Sequence, residues 1–384
     1  MFARRQEASE ASRLDGLGKN GRLGYVSGMF ERMTAPIGDY GGYHRSSGEW
    51  FRFAPADEDS LRAGLAQAAE RSMSLRVRGA GHSMNGSAIP RVGELLIETR
   101  ALDSWRIEAS RSIRVGAGAA IWDVQRLLAS LGHGLLVYND GNAAASTVGG
   151  YVSAGGFGAE SWRYGGFWES VESIDLVTVG GESLTVGPSD PLFPWLFGSM
   201  GQLGIIVAAT LKARPLPGAL PLARGSSGRV PASVHDWEKT IWFSAFVPKP
   251  AWGRARRELA AIGGRHSAAW RPRPPYAYAI PFGRFTPPLI HPSSADLVAV
   301  GIWGEAPEEG FDFEALRAID CDFTSWLRAN PDFRRYAQSE LLFEDFGAGE
   351  HFGAGCLAGF RERKRVLDPA GRLAPGPISG DGAP

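Results

Sequence analysis

A glycine-rich turn that carries a histidine and a serine follows the short predicted strand SLRVRG at residues 74–79. The turn reads RVRGAGHSMNGS at residues 76–87, with glycines at positions 79, 81 and 86. Glycine leaves room for backbone N–H groups to face an anion, because no Cβ blocks a close approach. The spacing matches neither the GxGxxG dinucleotide fingerprint nor the P-loop. On this motif alone, His82 and Ser83 are most simply interpreted as a hydrogen-bonding pair of the turn.

A second glycine-rich stretch lies at residues 146–166 and reads STVGGYVSAGGFGAESWRYGG. Seven of the twenty residues from Thr147 to Gly166 are glycine. Such small residues suit a close approach to a phosphate-bearing or planar ligand. The alternative is a glycine-rich loop that binds nothing. Two such stretches within about 90 residues favour a ligand-binding role over a loop that binds nothing.

The apolar pattern predicts the elements that position these stretches. Asp57 or Ser60 caps a helix whose apolar residues recur at spacings of three and four. A second amphipathic helix runs from Ile121 to Leu131 and ends at Gly132. The Gly180-Gly181 pair predicts a hairpin turn. Strands are predicted at 74–79, 94–99, 105–109, 112–118, 135–138, 170–179, 182–186 and 204–213, with a helical turn at 192–198.

The composition changes after Pro215. Residues 214–231 are rich in proline and glycine, which is typical of a linker or crossover. Residues 271–288 carry too many prolines for a central strand, so we expect an edge strand with flanking loops. Strand-like pieces lie at 241–247, 267–270, 276–280 and 297–303, and helices are predicted at 252–262, 312–329 and 355–366.

Composition excludes several classes of protein. Among the 384 residues, 41 Lys and Arg balance 41 Asp and Glu, so no nucleic-acid partner is expected. Two cysteines exclude a disulfide framework and a four-cysteine zinc site, and no metal site is expected. No run of ~18 apolar residues is present, so no membrane-spanning helix is expected, and residues 1–16 are not expected to act as a secretory signal because no apolar stretch follows their Arg pair. We expect a cytoplasmic protein without a membrane partner.

Four stretches in this order resemble the FAD-linked oxidoreductases of the vanillyl-alcohol oxidase type. RGAGHSMNGSA resembles their pyrophosphate loop, and TVGGYVSAGGFGAESWRYGG followed by ESIDLVTVGGE resembles their second flavin loop. MGQLGIIVAATLKARP resembles the segment that closes the flavin domain. Within the family, the GHSxxG loop, the TVGG start and the HFG…ERK…DP ending are most similar to cytokinin dehydrogenases. The resemblance is good over 50–215, moderate over 340–376 and poor over 216–339.

The resemblance implies an α+β fold with a two-subdomain FAD-binding domain and a small α+β substrate (cap) domain. The expected division is a loosely ordered N-terminal arm at 1–45, the FAD-binding domain at 46–215, the substrate domain at 216–350 and a C-terminal segment at 351–384 that returns to the FAD domain. The cap is short for the family, and Trp270 to Pro288 are expected to wall its pocket.

The resemblance also implies the cofactor and its contacts. In relatives with GHS at this loop, the histidine is commonly bonded to the flavin 8α carbon, which assigns a covalent link to His82. Residues 135–166 contain no cysteine for a second bond. Ser87 and Pro377 stand where cytokinin dehydrogenases usually have glutamine. The residues expected to contact FAD are Gly79, Ala80, Gly81, His82, Ser83, Thr147, Gly150, Ser153, Phe157 and Ile206.

The implied reaction is oxidation of a small or medium amine or alcohol, such as a specialised-metabolite intermediate, by hydride transfer to flavin N5. Dioxygen or another acceptor reoxidises the flavin, and the sequence indicates no oligomeric state. The alternative is a protein that keeps FAD structurally, for a non-redox cyclisation or as a binding scaffold. Cytokinin dehydrogenases place an aspartate base just before TVGG, and Asp140 lies about two residues further upstream. Asp140-Gly141 is alternatively a turn pair, and Glu340, Glu344 and His351 are other candidate bases.

Overall fold

A computed structural model describes residues 29–139, 145–233, 240–267, 270–308, 310–339, 347–373 and 378. Three of the four candidate bases, Asp140, Glu340 and Glu344, lie outside these residues, and so do residues 1–28 of the expected arm.

Helices and strands alternate irregularly along the chain, as expected for an α+β fold. The strands are β1 (Glu31–Met33), β2 (Trp50–Phe53), β3 (Leu75–Arg78), β4 (Leu95–Glu98), β5 (Ser104–Ala109), β6 (Ser112–Gly116), β7 (His133–Leu135), β8 (Val171–Val177), β9 (Ser183–Val186), β10 (Ile205–Pro215), β11 (Ser227–Arg229), β12 (Thr240–Pro248), β13 (Arg271–Ile280), β14 (Leu297–Glu305) and β15 (Arg334–Arg335). The helices are α1 (Glu58–Glu70), α2 (Ile121–Ser130), α3 (Val148–Ala154), α4 (Ser161–Tyr164), α5 (Phe193–Leu196), α6 (Trp252–Arg265), α7 (Phe313–Arg328), α8 (Ala348–Phe352) and α9 (Ala354–Leu367).

The first sheet has the strand order β1-β2-β4-β3 and delivers the first glycine-rich turn. Strands β2 and β3 both run parallel to β4, so α1 has to cross over between them. Asp57 caps α1 as predicted, because its carboxylate accepts from the Ser60 backbone N–H at 2.8 Å. Leu61 and Leu65 of α1 are buried against this sheet. Strand β3 therefore ends at Arg78, directly before the turn.

Residues 29–45 differ from the expected arm. Strand β1 pairs antiparallel with β2, and Phe30 before it is fully buried in the same core as Phe53. The prediction of a loosely ordered arm is wrong for these residues, because the pairing and the apolar contact of a short strand were not visible in its polar sequence.

The second sheet is antiparallel and delivers the second glycine-rich stretch. Its order is β11-β5-β6-β10-β8-β9, and β7 also pairs with β10. Strand β7 spans His133–Leu135 rather than the predicted 135–138, because its partners are the last residues of β10. Residues Val148–Ala154 form α3, where the sequence had indicated a glycine-rich loop.

The third sheet has the order β13-β14-β12-β15, with α6 and α7 in its core cluster. Strand β13 lies at the edge, as its prolines predicted. Trp270, Phe243 and Phe323 fill the core between the sheet and the helices. Arg335 and Asp320 form a buried ion pair at 2.7 Å that anchors β15 to α7.

The C-terminal residues come back to the first sheet. The Leu75 backbone N–H donates to the Arg372 carbonyl at 2.7 Å, and Leu373 lies in the same buried cluster as Leu75. Among the described residues, none of the helices is long and apolar enough to span a membrane.

Candidate active site

A cavity of about 350 Å³ lies where the three sheets meet. The first sheet contributes the turn after β3, which we call the His82 loop (residues 79–87). The second sheet contributes the Thr147 segment (residues 146–157) and the start of β10. The third sheet contributes aromatic side chains. The cavity thus joins both glycine-rich stretches to the part of the chain after Pro215.

The His82 loop and the Thr147 segment are in direct contact. A Cβ on Gly79 would lie 2.2 Å from Thr147 Oγ1, so only glycine lets the two approach. Gly81 has a φ of 73°, which a residue with a side chain rarely adopts, and a Cβ there would meet the Arg78 guanidinium at 2.1 Å. The glycines predicted to allow close approach do so here.

The Thr147 segment is held by hydrogen bonds to the turn before α2. The Val148 and Gly149 backbone N–H groups donate to the carbonyls of Ala119 and Ala117 at 2.8 and 2.9 Å. Thr147 caps α3, since its Oγ1 accepts from the Gly150 N–H at 3.2 Å. These bonds turn the glycine-rich stretch into a fixed helix beside the cavity.

Five aromatic side chains of the third sheet and the segment after it line the opposite side, and we call them the aromatic wall. They are Trp242, Tyr276, Tyr278, Trp303 and Tyr336. Trp242 and Trp303 are cross-strand partners on β12 and β14, and Tyr276 and Tyr278 stand two residues apart on β13, which puts each pair on one face.

Two tyrosines of the wall, Tyr276 and Tyr336, stay protonated near neutral pH. Burial raises the pKa of Tyr276 and of Tyr336 well above the usual range of a phenol. The Tyr276 ring lies over Gly301, where a Cβ would come within 2.5 Å of it. Neither phenol is suited to act as a base near neutral pH, and both offer a hydroxyl donor.

His82 is half-buried, and its loop is held from two sides. Its ring stacks on Tyr40, with ring centroids 4.4 Å apart and planes 20° from parallel. Its carbonyl accepts from Gln338 Nε2 at 2.9 Å, and Asn85 Nδ2 of the same loop donates to the Ala337 carbonyl at 2.9 Å. The histidine is therefore presented to the cavity by a loop with several anchors.

The ten residues predicted to contact FAD all line this one cavity. The lining of the cavity fits FAD in two respects. Gly79 and Gly81 have no room for a Cβ, so the backbone of the His82 loop lies close to the cavity, as binding of a pyrophosphate by backbone N–H groups requires. The buried Ser83 Oγ has no hydrogen-bond partner within the described residues, so a ligand atom can satisfy it. The individual contacts of the ten residues remain predictions.

Only one of the four candidate bases, His351, lies within the described residues. Asp140, Glu340 and Glu344 lie outside the described residues, although Asn139 lines the cavity. His351 is 3% exposed, packs against Phe352 and is not among the described residues of the lining. The described residues that line the cavity include no Asp or Glu.

Four residues that line the cavity were not predicted from the sequence. Trp242, Trp303, Tyr336 and Gln338 were not singled out, because only strand pairing brings them to the cavity. Tyr276 and Tyr278 lie within the predicted wall of 270–288, whereas Trp270 of that range is buried beside Phe243 in the core of the third sheet.

Two buried histidines make the folded protein sensitive to acid. Burial, and then the charges of Arg335 and Arg334, hold the pKa of His351 well below its usual range, and burial lowers the pKa of His291. Both therefore stay neutral to a lower pH in the folded chain than in the unfolded chain, which protonates them below about pH 6.5. The free energy of unfolding should therefore decrease as the pH falls below about 6.5, by up to ~1.4 kcal/mol per pH unit for each histidine.

Denaturant unfolding between about pH 7.5 and 5.5 measures this slope. The variant His351→Phe should unfold with a shallower pH dependence than the wild type. Equal slopes would contradict the assignment of His351.

Comparisons with known proteins match the same region. The family described as "FAD binding domain" matches residues 51–187, which include both the His82 loop and the Thr147 segment. Cytokinin dehydrogenase 10 of Oryza sativa subsp. japonica is 29% identical over 229 residues, which cover 56% of this chain and 41% of the relative. D-lactate dehydrogenase of Archaeoglobus fulgidus is 26% identical over 169 residues, 42% of this chain and 38% of the relative.

A third relative is an uncharacterized oxidoreductase of the fasciation locus of Rhodococcoides fascians, 30% identical over 160 residues, 41% of this chain and 36% of the relative. The chain thus spans about two fifths of the length of these relatives. The matches confirm the FAD cofactor and the resemblance that the motifs predicted. Residues 51–187 match the family described as FAD binding domain, and the chain is similar to FAD-linked oxidoreductases of the vanillyl-alcohol oxidase type, as the motifs predicted.

Proposed function

We propose that the protein oxidises a small or medium organic molecule, an amine or an alcohol, with FAD as the hydride acceptor. The observation that carries the proposal is the single continuous cavity, which runs from the glycine-rich loops to the aromatic wall. One side of it offers backbone and hydroxyl groups, and the other offers flat apolar surfaces. A cofactor and an organic substrate can therefore lie against each other within it.

FAD bound between the His82 loop and the Thr147 segment supplies N5 of its ring as the acceptor of a hydride. Gly79, Gly81, Gly150 and Ser153 would face the pyrophosphate and ribityl parts with backbone and hydroxyl groups. Phe157 and Ile206 would pack on the ring. We further propose that a ring nitrogen of His82 is bonded to the flavin, because His82 is half-buried in the cavity lining at the place where relatives carry this bond.

Residues 216–350 are proposed as the substrate domain, with the aromatic wall as its binding surface. Such side chains bind flat or apolar groups by stacking, each worth about 0.5–1.5 kcal/mol beyond burial. The described part of the lining contains no Lys or Arg that would pair with a carboxylate substrate. This favours an uncharged aromatic or conjugated amine or alcohol over a hydroxy acid.

Asp140 is proposed as the base that accepts the proton of the substrate N–H or O–H. Its neighbour Asn139 lines the cavity, and the Thr147 segment begins six residues after Asp140. Within the described lining no other carboxylate competes for the role. The proposed reaction also needs an electron acceptor, either dioxygen or another oxidant.

Anaerobic addition of candidate substrates to the FAD-loaded protein tests the proposal. We expect the visible flavin band to bleach with a member of a panel of uncharged aromatic amines and alcohols. D-lactate serves as the carboxylate comparison. A protein whose flavin is reduced by dithionite but by no member of the panel would instead support a structural role for FAD.

The variant Trp242→Ala tests the aromatic wall. It should raise the KM of the substrate about tenfold, because one stacking contact is lost, while the FAD content stays the same. Trp252 is 41% exposed on the outside of α6 and is not among the described lining residues, so Trp252→Ala is the matched control and should leave KM unchanged. An unchanged KM in Trp242→Ala would contradict the wall as the substrate surface.

A further inference from the structure

Tyr40 lies outside the residues that match the FAD binding domain, but its ring contacts the His82 loop. The matched residues begin at 51, so Tyr40 precedes them by more than ten residues. It lies in the segment between β1 and β2, where the sequence predicted only a loose arm. Its ring is half-buried and packs between His82 and Trp242.

The contact between Tyr40 and His82 is a parallel stack. The ring centroids are 4.4 Å apart and the planes differ by 20°. Because the faces of the two rings are in contact, the imidazole cannot rotate about its Cβ–Cγ bond without losing the stack. The plane of the imidazole is therefore set by Tyr40.

Tyr40 is itself held at two points. Its backbone N–H donates to the Ser83 carbonyl at 3.2 Å, next to His82 in the chain. Its hydroxyl lies 3.5 Å from Thr240 Oγ1, on the first residue of β12, and Thr240 lines the cavity. Tyr40 thus connects the His82 loop to the third sheet at the place where the cavity is built.

We propose that Tyr40 is a positioning residue that holds the plane of the His82 imidazole for bond formation to the flavin. This inference rests on the covalent link proposed above. In that step one N–C bond forms, the imidazole nitrogen loses its proton and the 8α methyl carbon loses one hydrogen. The two electrons and two protons go to dioxygen, which leaves as hydrogen peroxide. The nitrogen lone pair has to point at the carbon, so the orientation of the ring controls the rate.

The test compares Tyr40→Leu, which removes the flat ring, with Tyr40→Phe, which keeps the ring and removes the hydroxyl. Tyr43→Leu is the matched control, because the ring of Tyr43, in the same segment, packs against His44 and Phe313. Total bound FAD is measured by absorbance, and the linked fraction is followed over time after addition of FAD, by acid precipitation and by the mass of the denatured chain.

Wild type, Tyr40→Phe and Tyr43→Leu should form the link equally. In Tyr40→Leu, the rate of link formation should fall about tenfold to a hundredfold at equal bound FAD, since a small misplacement of reacting atoms has an effect of that size. Tyr40→Met, with a flexible side chain, gives the same comparison if the Leu variant does not fold.

A wild-type-like link in Tyr40→Leu or Tyr40→Met would overturn the role of Tyr40 alone. Loss of the link in Tyr40→Phe would also overturn it, because the hydroxyl and not the ring plane would then be responsible. A wild-type protein without linked flavin would overturn the proposed covalent bond and this inference together.

Discussion

Replacement of Asp140 with Asn is expected to slow the reduction of bound FAD by the true substrate about 10²–10⁴-fold, the usual contribution of a general base. Asn keeps the size of the side chain but cannot accept a proton, and FAD should stay bound because the loops that hold it are untouched. A carboxylate beside a flavin ring is desolvated, which moves its pKa upward, toward the range useful for a base. The rate is measured by anaerobic rapid mixing of FAD-loaded protein with substrate.

The pH profile separates a base from a turn residue. In the wild type, kcat/KM should fall on the acid side as Asp140 becomes protonated, and in Asp140→Asn this limb should disappear. Wild-type reduction rates in the variant would show that Asp140 is only part of the Asp140-Gly141 turn. Glu340 and Glu344 would then be the next residues to replace.

Replacement of His82 with Ala is expected to move all of the flavin from the acid precipitate to the supernatant. Without the imidazole no nitrogen is present to form the bond, so the loss of linked flavin should be complete. The native protein should still contain FAD, because the contacts of Gly79, Gly81 and the Thr147 segment remain. Absorbance of the supernatant and the mass of the denatured chain measure the effect.

His44→Ala provides the control for this experiment. His44 packs against Gly86 of the same loop, where a Cβ would lie 3.0 Å from its ring, yet it is not among the described residues of the cavity lining. The control variant should keep its flavin in the precipitate. Flavin that stays with the precipitate in His82→Ala would show that another residue carries the link.

The two glycine-rich segments could be found from the sequence, because their signal is local. Glycines that follow β3 within a few residues predicted a backbone that approaches other groups closely, and Gly79 against Thr147 is such an approach. All ten residues named from the motifs line the same cavity. They could be found because the residues within each motif determine the shape of its loop.

The secondary structure of the Thr147 segment could not be predicted from local sequence. Its glycines disfavour a helix, yet Val148–Ala154 is helical. Val148 and Gly149 donate hydrogen bonds to the carbonyls of Ala119 and Ala117, which lie 29 and 32 positions earlier in the chain, and these long-range bonds outweigh the low helix propensity of the glycines. The same kind of long-range pairing, with the end of β10, fixes β7 at His133–Leu135.

The aromatic wall and Tyr40 could not be predicted, because they come from distant parts of the chain. Trp242 meets Trp303 only through the register of β12 with β14, and Tyr276 reaches the cavity after a register shift on β13 that follows Arg273. Tyr40 lies 42 residues before His82 in a polar segment without periodicity. Such contacts depend on the assembled sheets rather than on any motif.

A titration of the purified protein with FAD, followed by the visible spectrum, tests whether FAD occupies the cavity between the His82 loop and the Thr147 segment. We expect a yellow protein, either as isolated or after addition of FAD, that saturates at one flavin per chain. A correctly folded protein that is colourless and takes up no added FAD would contradict it.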